Sequence, residues 1–138
     1  QKFAPDGRPL AAFGSYGTGR GQLNHPSDVA VDPDYDVYVC DWANHRIQVF
    51  DPDGRFITSF LGDAQELSKW ARLTFEANPD AVKRRREVLN LEIEWRFSYP
   101  TGVAFDVSKN RLFVSDCQRG RLQIYNKLKD YVQPPRTV

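Results

Sequence analysis

Two stretches of the chain place a carboxylate and a guanidinium at the same offset: Asp41 with Arg46, and Asp116 with Arg121. Across a tight turn such a pair closes a charge-assisted fork and can also bind loop backbone. The same arginines turned outward would hold an anionic ligand. Asn44, His45 and Arg119 lie within these turns. With Asp28 they complete the ligand-face candidates: Asp28, Asp41, Asn44, His45, Arg46, Asp116, Arg119 and Arg121. Because the Asp–Arg pair recurs, a scaffold role is the favoured reading of it. Asp28 opens an inner strand, where it could reach a channel ligand or cation; support of loop packing is the favoured reading. His25 and His45 are the only histidines, and neither has Cys, Asp or Glu at ligand spacing. No metal, cofactor or catalytic residue is therefore expected. Cys40 aligns with Ser115 and Cys117 with Trp42, so the cysteines are not equivalent and are expected as free thiols; bonding them would need Cα atoms within about 7 Å. Gly17, Gly19 and Gly21 are followed by a strand, without the Lys-Ser/Thr ending of a phosphate loop. The run Lys83, Arg84, Arg85, Arg86 reads first as a solvated helix face, and otherwise as a basic patch for a polyanion or an acidic protein surface.

The elements that carry these residues form a repeat. Val37–Phe50 and Leu112–Tyr125 share an alternating run, an Asp, four residues, an Arg and a second alternating run. Pro26–Asp32 pairs with Pro100–Asp106, and Gln1–Arg8 pairs with Gln48–Arg55. Gln48 follows Gln1 by 47 positions and Gln123 follows Gln48 by 75, so an excess of 28 lies between Phe60 and Pro100. One unit reads as four strands: a, Asp28–Asp32; b, Val37–Cys40; c, Arg46–Phe50; d, Arg55–Phe60. Asp32-Pro33-Asp34 and Asp51-Pro52-Asp53-Gly54 supply the turn chemistry. Four-stranded antiparallel units at this period indicate propeller blades.

The stretch from Gly17 through Gln22-Leu23-Asn24-His25-Pro26, Val37-Tyr38-Val39 and Asp41-Trp42-Ala43-Asn44-His45-Arg46-Ile47 to Gly54 resembles an NHL repeat. The second copy departs from it, with Gln118-Arg119-Gly120 where the first has Ala43-Asn44-His45. The resemblance implies an all-β fold: a partial β-propeller of four-stranded antiparallel NHL blades, in a family whose propellers are typically six-bladed, plus an α-helical hairpin insertion. It divides the chain into 1–14, the end of a preceding blade; 15–61, a complete blade; 62–97, the insertion; and 98–138, strands a to c of a second blade with a tail. Its implied role is a macromolecular interaction scaffold with a protein partner. The alternatives are a lyase- or lactonase-type propeller enzyme with a channel cation, and an RNA-binding platform. Similarity to secreted bacterial NHL proteins leans toward an extracytoplasmic setting.

Within the insertion, Asp63 and Glu66 are placed as a capping box opening a helix through Phe75. Asn78-Pro79-Asp80 opens a second helix that continues through Leu89 and Ile93 to Trp95. Trp70 and Trp95 are expected to pack against the propeller. By strand parity, a connection from d to a emerges on the same face as the b–c turns, so the helices should sit there.

The 138 residues carry a formal net charge of +1, which leaves no whole-chain field for nucleic acid or an anionic membrane. No apolar run approaches the roughly 20 residues of a bilayer-spanning helix. So few blades do not close a ring. The partners expected are therefore the remaining blades of a longer chain or other copies of this chain. Asn126–Val138, with Pro134-Pro135, is expected not to form a fourth strand.

Overall fold

In the computed structural model, which describes residues 1–128, β-sheets dominate. A short hairpin, β1 (Lys2–Phe3) with β2 (Pro9–Ala11), comes first. The Gly-rich segment follows and forms a small parallel pair, β3 (Ser15–Tyr16) with β4 (Gln22–Leu23). The complete blade is a four-stranded antiparallel sheet in sequential order: β5 (Pro26–Val31), β6 (Val37–Asp41), β7 (Arg46–Phe50) and β8 (Phe56–Phe60). Three helices come next: α1 (Lys69–Glu76), α2 (Pro79–Glu87) and α3 (Glu92–Trp95). The second blade pairs β9 (Pro100–Asp106), β10 (Arg111–Asp116) and β11 (Arg121–Asn126).

The two registers coincide at the residues that define the repeat. Asp41 lies opposite Arg46 and Asp116 opposite Arg121, each pair spanned by a single 3-10 turn. That turn closes on a left-handed residue, His45 at φ 54° in the first blade and Gly120 at φ 58° in the second. Strand d starts at Phe56 rather than Arg55, because the Arg55 N–H is taken by Asp51 Oδ1 within the c–d turn.

The core lies between the blades. Alternation on β6 and β7 sends Tyr38, Cys40, Ile47 and Val49 to one face, where they meet Phe97, Val103, Leu112 and Val114. Tyr38 stacks on Phe105 with centroids 5.8 Å apart, and Phe60 tilts against Tyr125 at 4.9 Å. The opposite face of the complete blade holds Phe50, which meets Phe13 at 5.2 Å. Polar stitches reinforce the junction. The Val103 N–H donates to Asp28 Oδ2, the Ser27 hydroxyl to the Pro100 carbonyl, and the Lys127 ammonium reaches Asp32, Asp34 and Asp36. Burial alone would lower the Lys127 pKa; its hydrogen bonds to the three carboxylates outweigh that and raise it.

The helical segment differs from its sequence reading in three respects. Helix α1 begins at Lys69 with Ser68 as its cap, accepting from the Ala71 N–H, and not at Asp63. The Asp63 N–H is drawn instead to Gln123 Oε1, which removes that residue from helix initiation. Asn78 caps α2 as its spacing indicates, but α2 stops at Glu87: Val88 is extended, and Glu92–Trp95 forms a separate turn. Trp70 does not pack on the propeller; it is 70% exposed, while Trp95 is half-buried. The expectation for Asn126–Val138 falls, from residue 129 on, outside the described residues.

Candidate functional site

Both b–c turns are built around a buried aspartate. In the complete blade, Asp41 Oδ1 accepts from the Asn24 N–H at 2.6 Å. Its Oδ2 accepts from Arg46 Nε (2.6 Å), Asn44 Nδ2 (2.9 Å) and Gln48 Nε2 (3.1 Å). The remaining Arg46 donors go to the carbonyls of Thr18, Gly19 and Gln22, and Asn44 also donates to Gly17. Gln48 accepts from the Gly21 N–H and donates to the Gln22 carbonyl. The Gly-rich loop is thus clamped, carbonyl by carbonyl, onto the blade. A carboxylate withdrawn from water needs this many donors to offset its desolvation.

The second blade repeats the device on a different loop. Asp116 accepts from the Ser98 N–H (2.8 Å), Arg121 Nε (2.8 Å) and Gln123 Nε2 (3.3 Å). Arg121 donates to the carbonyls of Trp95 and Arg96, where the helical segment ends. Gln123 accepts from Asp63 N–H, where it begins. The ends themselves meet, the Phe97 N–H donating to the Leu61 carbonyl at 2.6 Å. Gly62 permits that approach: it has φ +88°, and a Cβ there would stand 2.7 Å from Phe97 N. Gln48 and Gln123 were not among the site candidates. The available signal was a glutamine recurring at one position of an otherwise apolar strand.

The other candidates fall in different places. His45 leans away from Asp41; its Nδ1 accepts from the Tyr99 N–H, and its ring meets Tyr99 at 4.1 Å. Trp42 adds a contact to Tyr99 at 4.7 Å and one to His25 at 6.3 Å, which makes an aromatic ledge across the blade junction. His25 and Tyr99 each precede a proline in a left-handed conformation, φ 51° and 52°. Asp28 lies at the junction with β9, separate from either turn. Arg119 occupies the position of Asn44 but reaches the Ile93 carbonyl, while its own carbonyl accepts from the Ser68 hydroxyl. In the basic run, Arg85 is held by both oxygens of Glu94 and lies near the rings of Phe75 and Trp95. Lys83, Arg84 and Arg86 are exposed.

The cysteines differ in state, and both are free. Burial, aided by the Asp28 charge, pushes the Cys40 thiol up to about 12. Hydrogen bonds from Ser115 and Thr101 hold the exposed Cys117 below the usual thiol range. Among the described residues no three His, Cys, Asp or Glu side chains converge to hold a metal ion. No described helix is long and apolar enough to cross a membrane.

One four-stranded and one three-stranded antiparallel sheet, each with a buried b–c lock and packed against each other, define a partial β-propeller. The NHL repeat matches residues 23–50 and 97–125, and the chain carries NHL repeats. It is 30% identical over 132 residues to Protein brain tumor of Drosophila melanogaster, covering 83% of this chain and 13% of that protein. Over 44 residues it is 54% identical to B-box type zinc finger protein ncl-1 of Caenorhabditis elegans, covering 32% of this chain and 5% of that one. Over 50 residues it is 48% identical to E3 ubiquitin-protein ligase TRIM71 of Rattus norvegicus, covering 36% and 6%. The chain thus spans a small fraction of the curated relatives it matches. A solved candidate phosphatase of Bacteroides thetaiotaomicron shares the fold at 17% identity and a TM-score of 0.50, over 85% of this chain and 26% of that one.

Proposed function

We propose that the chain contributes a protein-binding surface to an NHL propeller, on the face that carries the b–c turns and the helical segment. One observation carries this reading: large apolar side chains stand in solvent on a segment that the second lock holds in place. Trp70, Leu73, Val88, Leu89 and Ile93 are all exposed there. Exposed apolar groups gathered on one element mark interaction surfaces, and a solvent-facing tryptophan is a typical anchor. The lock residues themselves are turned inward, so they shape the surface without touching a partner.

The RNA reading draws support from the aromatic ledge of His25, Trp42 and Tyr99, since single strands are recognised by stacking. Against it, residues 63–96 hold seven acidic and seven basic side chains, so the exposed Lys83, Arg84 and Arg86 lie in a segment with no net charge. The test is a photo-crosslinking side chain at position 70 of the full-length protein in its own cells, with a control at position 35 in the a–b turn on the opposite face. Protein adducts concentrated at position 70 support the proposal. Adducts confined to position 35, or nucleic-acid adducts at position 70, overturn it.

A further inference from the structure

We propose that the chain completes its propeller with further copies of itself, each copy supplying the blade face and the strand that its neighbour lacks. This goes beyond the docking face above and does not depend on it. The junction inside the chain is the template. There Ile47 and Val49 of the first blade meet Val103 and Leu112 of the second. The repeat places each half of that junction a second time. Leu122 and Ile124 stand in the second blade where Ile47 and Val49 stand in the first, and Val29 and Val37 stand in the first where Val103 and Leu112 stand in the second.

The registers put these residues on the two outer faces. Val114 points into the junction, so Phe113 and Ser115, with Ile124 and Leu122 opposite them, point away from it. Tyr38 and Cys40 point into the junction, so Val37 and Val39, with Val31 and Val29 opposite, point away on the other side. Leu122 and Ile124 are exposed at one end of the stack and Val29 and Val31 at the other. The second end is a socket of about 610 Å³ between the first blade and the β1–β2 hairpin. One copy thus carries both halves of an interface whose match it already displays internally.

The strands match as the faces do. β11 is the edge of a three-stranded sheet, with no fourth strand beside it among the described residues. By the repeat, β2 is a fourth strand like β8, since Arg8 aligns with Arg55 and Leu10 with Ile57. Its only neighbour is the two-residue β1, in irregular register, and every residue of the hairpin strands is exposed. So short a ribbon is marginal in water. The six-residue β11 offers a longer ladder. Moving β2 onto the β11 of a neighbouring copy pairs an open edge and buries both apolar faces together. The contact is head to tail, the kind that closes into rings. Strand β2, the complete blade and β9 to β11 make two blades per copy, so a ring of about four to eight blades takes roughly two to four copies.

The test is the mass of the full-length protein by native mass spectrometry and light scattering. The expected result is one assembly of roughly two to four copies. Leu122→Asp and Val29→Lys fall at exposed positions, so each should keep the fold by circular dichroism and reduce the assembly to single copies. Combined in one chain, they set opposite charges across every junction and should restore the assembled mass. Val107→Asp, exposed in a turn outside both faces, should change nothing. In the unmodified protein, hydrogen exchange at the β11 amides should slow as concentration rises through the assembly range. A full-length protein that stays single at every concentration, with further blades of its own covering both faces, overturns the proposal. So does a folded double variant that remains single, a mass that Val107→Asp lowers as far as Leu122→Asp, or β11 exchange that ignores concentration. Position 70 belongs to neither face, so crosslinking there tests the docking face separately.

Discussion

The same Asp–Arg–Gln lock is built twice, and the two copies close on different chains of atoms. In the complete blade it grips a short Gly-rich loop; in the second it grips the two ends of a helical excursion of more than thirty residues. The burial around them differs as well. Strands β6 and β7 are covered on both faces, whereas β11 leaves Leu122 65% and Ile124 51% exposed. The lesson is that the lock recognises backbone carbonyls and two N–H groups, not sequence. Any loop whose ends return to the same place satisfies it. Because loop-closure entropy grows only slowly with length, a long insertion between clamped ends is tolerated.

The largest effect should come from breaking either lock. Asp41→Asn leaves the largely buried Arg46 without its counter-charge and should cost about 3 kcal/mol in denaturant unfolding. Asp116→Asn should cost less, since its carboxylate serves three donors where Asp41 serves four. The two should also differ in kind. Hydrogen exchange should rise across the helical segment before the rest in Asp116→Asn, and across both blades together in Asp41→Asn. Identical exchange patterns would erase the distinction.

A milder break acts on the closure of the excursion alone. Gly62→Ala forces a Cβ against Phe97 N at a left-handed φ and should lower stability by roughly 1–3 kcal/mol. Thermal melting checks the size, and faster exchange at the Phe97 amide checks the place. Smaller still, Trp70→Ala should change stability by no more than about 0.5 kcal/mol, as exposed positions do. Trp95→Ala should cost more, since Trp95 is half-buried against the Arg85–Glu94 pair. The last contrast needs no change in stability. Near pH 8 iodoacetamide should label Cys117 readily, because its lowered pKa raises the thiolate fraction, and should spare Cys40 until the protein unfolds. Equal labelling rates would show that the buried strand site of Cys40 and the turn site of Cys117 are not held as described.

Local chemistry was legible from the residues. Alternation set the strands of both blades, the Asp–Pro–Asp and Asp–Gly turns set their connections, and Asn78-Pro79 set the start of α2. Each depends on neighbours a few positions apart, whose sterics and hydrogen bonds act before any tertiary contact forms. The partners of the locks were not legible. Asp63 looked like a helix cap until Gln123, 60 residues away, took its N–H. Arg85 looked like one of four surface cations until the chain turned at Val88 and brought Glu94 against it. Trp70 follows the same periodicity as a core residue, and only the seating of α1 on the second turn decided that it faces solvent. The sequence by itself determined which side chains recur and how the blades are wound. Tertiary structure alone decided which donors each buried acceptor meets, because that depends on where distant loops return and not on the residues beside them.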